Sequence, residues 1–352
     1  MGVRLMTENI WLDGVMGVVI GDALGCPVQF IDRAELASGP VDDMEGYGTY
    51  NMPEGTWTDD SSMTLALLAS IREKGGIDLP DIMYRFALWL TKGEYTPFGE
   101  SFDVGNGTMG AIIRYLKNPD ITKCGGTTDR DNGNGSLMRI LPACLYCYER
   151  SQKGMTDEEA VTLIHQVAGL THNHLRGQIA CGLYYFMICA LLDEPGSQID
   201  RLQKGLDRGF HFYEKDSGNE KELAYYKRLR DLDAFSGVQE SDIRSTGYVV
   251  DTIEAAVWSF ISTEDFKTCE LKAVNLGDDA DTVGAIAGGL AGLYYGYDTF
   301  PKDWLGVIQK RQWVEDLCQM EGGRLVQSGC YYLRGSELKR TAQQRYESEC
   351  RK

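Results

Sequence analysis

The sequence predicts an all-α protein built as one compact multi-helix domain, on three observations. Apolar residues recur at helical spacing in segment after segment, no run alternates apolar and polar residues between hairpin turns, and no strand–helix alternation marks a parallel sheet. The 352 residues are 43% hydrophobic and 25% charged, the composition of a globular chain, which excludes wholesale disorder.

The elements follow in order. Residues 11–24 are apolar on most faces and end at Gly25-Cys26-Pro27, and a Gly-rich acidic loop covers 38–55. Residues 60–74 form a helix with acids in the first turn and Arg72, Lys74 and Gly75 at the end, as the helix dipole favours. Helices are expected over 81–91 and over 107–116, the latter stopped by Asn118-Pro119, with a loop over 124–135. Further helices are expected over 136–149, 156–170, 175–192, 220–232, 247–261, 263–274, 282–295 and 304–320. The most apolar stretch, 179–192, falls short of the about 20 residues of a bilayer span and reads as a buried helix. No composition shift marks a linker, so 1–333 reads as one domain, with the polar stretch 193–245 as a candidate peripheral insertion and 334–352 as a polar tail.

Lys plus Arg is 35 against 52 Asp plus Glu, a net charge of −17, which argues against a non-specific nucleic-acid binder but leaves room for one small phosphorylated ligand. Residues 1–13 carry no basic region followed by an apolar run, so the ten cysteines read as reduced thiols of a cytoplasmic protein, with no membrane partner. Nothing in the sequence fixes an oligomeric state.

Glycine recurs every fourth residue twice, at Gly17, Gly21 and Gly25 and at Gly284, Gly288, Gly292 and Gly296. Such a row on a helix lets a neighbour approach closely, at about 1 kcal/mol per glycine in propensity. Both helices are therefore expected near the centre, with the polar residues at their ends close to the middle of the molecule.

Two acidic clusters stand where a loop enters an apolar helix: Thr58-Asp59-Asp60-Ser61 and Asp278-Asp279-Ala280-Asp281-Thr282. Capping explains one acid in each. Two or three adjacent carboxylates repel unless something positive holds them, and hard cations such as Mg²⁺ take carboxylate and Thr oxygens. Caps with solvated charge and a metal site both remain open on chemistry alone. The glycine-rich runs 102–108 and 132–138 each open a predicted helix, where backbone N–H groups bind phosphate, though on their own they read as turns before sites. His172 and His174 share one loop, and Cys144 and Cys147 lie inside an apolar helix, where they read as small buried hydrophobes rather than a zinc pair.

In order, these pieces resemble the ADP-ribosylglycohydrolase family. The matching runs are Gly17-Val-Val-Ile-Gly21-Asp22-Ala-Leu-Gly25, Thr56-Trp57-Thr58-Asp59-Asp60-Ser61-Ser62-Met63, Phe102-Asp103-Val-Gly105-Asn106, Gly133-Asn134-Gly135-Ser136-Leu-Met138-Arg139, Thr171-His172 and Asn275-Leu-Gly277-Asp278-Asp279-Ala-Asp281-Thr282. The resemblance implies an all-α fold around a central cleft with two Mg²⁺ (or Mn²⁺) ions, held by Thr58, Asp59, Asp60, Asp279, Asp281 and Thr282. It implies hydrolysis at ribose C1″ of an ADP-ribosylated protein or small ADP-ribose conjugate. Asp103 matches a proposed acid/base and Asp60 is its rival. Asp22, Gln29, Asn106, Gly133, Asn134, Gly135, Ser136, Met138 and His172 are the implied substrate contacts.

Three positions depart from the family pattern. Gln29 stands where a Glu is common, Asp278 where Gly is common, and Ser61 where Thr is common. A neutral amide at 29 cannot act as a base. The alternatives are a hydrolase of another ribosyl nucleotide and a non-catalytic ADP-ribose-binding or crystallin-like structural relative. The intact acidic clusters argue against the non-catalytic form.

Overall fold

The computed structural model describes residues 9–320, so the tail expected over 334–352 lies outside the described residues. Among them, the helices of nine residues or more are α1 (Ile10–Gly25), α2 (Asp59–Lys74), α3 (Leu79–Lys92), α4 (Asn106–Lys117), α5 (Leu141–Ser151), α6 (Asp157–Gly169), α7 (Leu175–Asp193), α8 (Gln198–Glu214), α9 (Val249–Ile261), α10 (Phe266–Val274), α11 (Ala280–Tyr295) and α12 (Arg311–Gln319). No β-strand occurs among the described residues; Gly126 with His172 and Gly133 with Tyr248 form isolated bridges.

Helices α1 and α11 pack backbone to backbone at the centre. A methyl group at Gly17 would lie 2.1 Å from the Gly288 carbonyl oxygen, one at Gly21 2.1 Å from that of Gly284, and one at Gly25 2.4 Å from the Asp281 Cα. The converse holds at Gly288, 2.2 Å from the Gly17 oxygen. The two helices therefore run antiparallel, and the end of α1 abuts the start of α11, where the second acidic cluster sits. Trp11, Val15, Val18, Val19 and Ile20 of α1 and Val283, Ile286, Leu290 and Leu293 of α11 fill the core on either side.

Helix α7 is buried nearly throughout. It and Ile10–Val28 are, contrary to the length argument made for 179–192, long and apolar enough to cross a bilayer, yet each is 83% buried inside the fold. Cys144 and Cys147 of α5 are free and fully buried, and burial pushes the Cys147 thiol up to about 12.

Helix α8 was not expected within the polar stretch 193–245. Its buried face, Leu202, Gly205, Leu206, Gly209, Phe210 and Tyr213, packs on α7, and Ser197 and Asp200 form a reciprocal capping box at its start. The continuous helix expected over 220–232 is broken into Glu220–Leu223, a tight turn over Ala224–Arg230 and Leu232–Ser236, with a non-helical Tyr226 between. The helix expected over 304–320 breaks before α12, where Lys310 adopts a left-handed φ of +49°. Helix α5 starts at Leu141 rather than 136, with Pro142 in its first turn.

Gly17→Ala or Gly288→Ala is expected to lower unfolding stability by about 3 kcal/mol or more, because each methyl meets a carbonyl oxygen that cannot move without separating two helices. Gly39→Ala, where nothing lies within 4 Å, is expected to change stability by less than about 0.5 kcal/mol. Denaturant melts of the three variants check this.

Candidate functional site

Asp22 of α1 joins the two acidic helix starts. It is fully buried, and its carboxylate accepts from the backbone N–H of Thr58 at 2.9 and 3.0 Å, from the Ser61 N–H at 2.9 Å and from the Ser61 hydroxyl at 2.5 Å. A carboxylate from another helix thus satisfies the N-terminus of α2, with Thr58 as the local cap. Burial, opposed by these hydrogen bonds, raises the Asp22 carboxyl to about 7.

With Asp22 and Thr58 in that role, Asp59 and Asp60 are not needed as caps, and Asp279 at the start of α11 makes no side-chain cap bond. The capping account of the clusters therefore does not hold for these three. Asp60 Oδ2 accepts from the hydroxyls of Thr58 and Thr282, each at 3.4 Å, which brings the two clusters together. Asp279 accepts from Gln29 Nε2 at 3.3 Å and from Asn134 Nδ2 at 2.5 Å. Asp60 Oδ1 and Asp281 Oδ2 are buried without a hydrogen-bond partner.

Burial, then the charge of Asp103, Asp60 and Asp22, pushes Asp59 well above the ordinary carboxylate range. Burial followed by Asp22 and Asp279 does the same to Asp60, and burial followed by Asp103 and Asp60 does so to Asp281. Burial raises Asp279 less, because Asn134 and Gln29 donate to it. Mutually repelling carboxylates, two threonine hydroxyls and two orphaned buried oxygens form an oxygen donor set that fits a hard divalent cation.

These groups floor one end of a cavity of about 470 Å³. Asp59, Asp60, Asp279 and Thr282 line it, together with Gln29, Phe30, Asp103 and Asp278. The rest of the lining is Gly105, Asn106, Gly107 and Thr108 at the start of α4, the turn with Gly133, Asn134 and Gly135, Thr246 and Gly247, and Met138 and His172. Gly105 brings no capping side chain to α4, so no N-cap side chain takes up its first backbone N–H groups. Burial, reinforced by Arg139, lowers the His172 imidazole to about 3, so it is neutral at ordinary pH.

Asp103 is the least buried of the implied catalytic acids. It sits in a left-handed conformation, φ +54°, and its Oδ1 accepts from the Tyr50 phenol at 2.5 Å. Tyr50 comes from the acidic loop expected over 38–55 and packs on Phe102, with ring centres 5.2 Å apart. Sequence reasoning did not single it out, and no local motif around it marks it.

Some implied site residues stand behind the cavity rather than in its wall. Asp22 is taken up by α2 and cannot touch a substrate, so its place is structural support for the acidic cluster. Ser136 is fully buried, with its hydroxyl 3.7 Å from Cys181 Sγ. Thr58 and Asp281 are likewise buried beneath the wall. His174 caps α7 through Nδ1.

Asp129, His174 and Glu222 bring ligand atoms within 4.8 Å of one another and could hold a metal ion, but none of them lines the cavity. Arg176 already puts a positive charge there, 2.8 Å from Glu222 and 3.3 Å from Asp129. The unneutralised carboxylates at α2 and α11 are the stronger demand for a cation.

A family model described as ADP-ribosylglycohydrolase matches residues 8–330. The ADP-ribosylarginine hydrolase Tri1 of Serratia proteamaculans is 31% identical over 319 residues, 90% of this chain and 80% of its own length. The ADP-ribosyl-(dinitrogen reductase) glycohydrolase of Rhodospirillum rubrum is 33% identical over 306 residues, 85% of this chain and 90% of its own. A solved structure titled ADP-ribosylglycohydrolase-related protein complex superposes with a TM-score of 0.70 at 28% identity, over 95% of this chain and 98% of that one.

The raised carboxyls set a pH dependence. Each binds its proton more tightly in the folded than in the unfolded chain, so its stabilising effect is complete below about pH 4 and is lost as pH rises through the folded value, about 7 for Asp22. Metal-free protein is expected to melt at a higher temperature at pH 5.5 than at pH 7.5. Asp281→Asn, which replaces one of these carboxyls by an uncharged amide, is expected to shrink the difference.

Proposed function

The chain belongs to the ADP-ribosylglycohydrolase family, and on that premise we propose that it hydrolyses the C1″ glycosidic bond of ADP-ribosylated acceptors at the cavity between α2, α4 and α11. The observation that carries this reading is the joining of two buried carboxylate clusters at a cavity that glycine-rich backbone also lines. The acidic and the glycine-rich parts of the lining suit two parts of the ligand, a hydroxyl-bearing ribose and the diphosphate. ADP-ribosylarginine is the first substrate to test, since a relative of 31% identity carries that name.

Thr58, Asp59, Asp60, Asp279, Asp281 and Thr282 would hold divalent ions, with Mg²⁺ or Mn²⁺ the species their oxygen donors suit. Such ions supply orientation of the ribose hydroxyls and a water of lowered pKa. The protein's own residues do the rest. Asp22 fixes the start of α2, and Gln29 and Asn134 hold both oxygens of Asp279, so the ligand set is oriented before substrate arrives. The N–H groups at the start of α4 and the turn with Gly133 and Gly135 meet the diphosphate.

Asp103 stands on the cavity side with Oδ1 fixed by Tyr50, which leaves Oδ2 for the acceptor atom or for water. It is the acid/base. Nearby carboxylates stabilise the oxocarbenium-like ribose that forms as the bond to the acceptor breaks. Asp60, tied inward by two threonine hydroxyls, acts as ligand and charge rather than proton carrier.

Turnover of ADP-ribosylarginine is expected to stop with EDTA and return with Mg²⁺ or Mn²⁺; turnover unaffected by chelation would contradict the metal site. Asp281→Asn is expected to abolish turnover while circular dichroism stays unchanged. Asp103→Asn is expected to lower kcat by about 10²–10⁴ with ADP-ribose affinity kept, the loss typical of a removed acid/base. Equal losses in both would make Asp103 a binding residue.

A further inference from the structure

Arg139 follows the turn that carries Gly133, Asn134 and Gly135. It is fully buried, its guanidinium lies 4.7 Å over the Phe86 ring, and no carboxylate pairs with it among the described residues. Its Nη2 donates to the Thr171 hydroxyl at 2.6 Å, while Nε and Nη1 have no partner. Burying a guanidinium in this way is costly, and an apolar side chain would fill a core position better.

The direction of the next bond follows from the first. An arginine only donates, so Thr171 Oγ1 accepts there, and the hydroxyl proton goes to its other neighbour, His172 Nδ1, 2.8 Å away. That leaves the imidazole proton on Nε2. This nitrogen faces the glycine wall: it lies 2.8 Å from where a methyl at Gly107 would stand and 3.6 Å from one at Gly133. The cavity is lined by Asp59, Asp60, Asp103, Asp278 and Asp279 and by no Lys or Arg among the described residues. Apart from the divalent ions proposed at the acidic clusters, a diphosphate therefore finds its positive field in backbone N–H groups, in His172 and in what stands behind them.

We propose that Arg139 is a positioning residue for the diphosphate: through Thr171 it fixes His172 as the Nε2–H tautomer, a hydrogen-bond donor into the cavity, and its unpaired charge backs that wall. This rests on the reading above that the ligand carries a diphosphate. The neutrality of His172 and the charge of Arg139, whose burial lowers it only to about 10, are consistent with these roles.

The test is long-range proton–nitrogen correlation on the His172 ring in ligand-free protein, assigned by its loss in His172→Gln. Calorimetric titration of ADP-ribose and of Mg²⁺ accompanies it. In the wild type the proton is expected on Nε2. Thr171→Val, nearly the same shape, is expected to give a mixed tautomer and to weaken ADP-ribose binding about tenfold, the loss of one hydrogen bond to a charged group. Mg²⁺ affinity is expected to stay unchanged. Arg139→Met is expected to do the same if it folds; Thr171→Val carries the test if it does not. A proton on Nδ1 in the wild type, or a valine variant with unchanged tautomer and affinity, overturns the proposal. Wild-type protein that binds Mg²⁺ but no ADP-ribose overturns the functional reading instead, and is told apart because the tautomer is measured without ligand.

Discussion

Helices α1 and α11 touch through their backbones, and the positions of both acidic clusters depend on that contact. Gly17 and Gly21 lie against the carbonyl oxygens of Gly288 and Gly284, and Gly25 lies against Asp281. No side chain separates the helices, so the start of α11 cannot slide along α1 without a clash. Asp22, one residue past Gly21, then reaches the N-terminus of α2 and sets the second acidic cluster against the first. The propensity lost at each glycine is the cost of holding two loop-to-helix junctions in register.

That register creates an electrostatic problem which the protein leaves to a ligand. Five aspartates, Asp22, Asp59, Asp60, Asp279 and Asp281, are buried; burial raises all five, the charge of neighbouring carboxylates adds to it at Asp59, Asp60 and Asp281, and two of their oxygens have no partner. Elsewhere arginines meet some of the fold's acids: Arg85 pairs with the half-buried Glu73 and Asp81, and Arg176 with the buried Glu222, while Glu270 is buried without a partner. Here no arginine or lysine among the described residues reaches the cavity wall. A site that favours a divalent cation at one end and tolerates a diphosphate at the other needs this division of charge, with the positive field of the second end drawn from backbone and buried groups.

Much of this was legible in the sequence because its signals are local. The four-residue glycine period gave away the central helix pair, and the Thr58-Asp59-Asp60 and Asp279–Thr282 runs gave away the two ends that meet. What escaped depends on contacts between distant segments. Asp22 reads as a substrate contact when only its neighbours are seen, yet it caps a helix 36 residues away. Tyr50 sits in an acidic loop with no motif, and only the fold brings it to Asp103. Helix α8 was hidden differently: mean polarity masked the apolar spacing of Leu202, Leu206, Phe210 and Tyr213, although the Ser197–Asp200 capping box was there to be read.

The central claim is that one cavity takes both a divalent cation and ADP-ribose, each helping the other. It is tested most directly by calorimetric titration of ADP-ribose into metal-free protein, repeated at saturating Mg²⁺. The account predicts weak or absent binding without metal and clear binding with it, because the carboxylate end repels the ligand until its charge is met. Binding of equal strength in both conditions would contradict it, and would mean that the acidic clusters and the glycine wall do not serve one ligand.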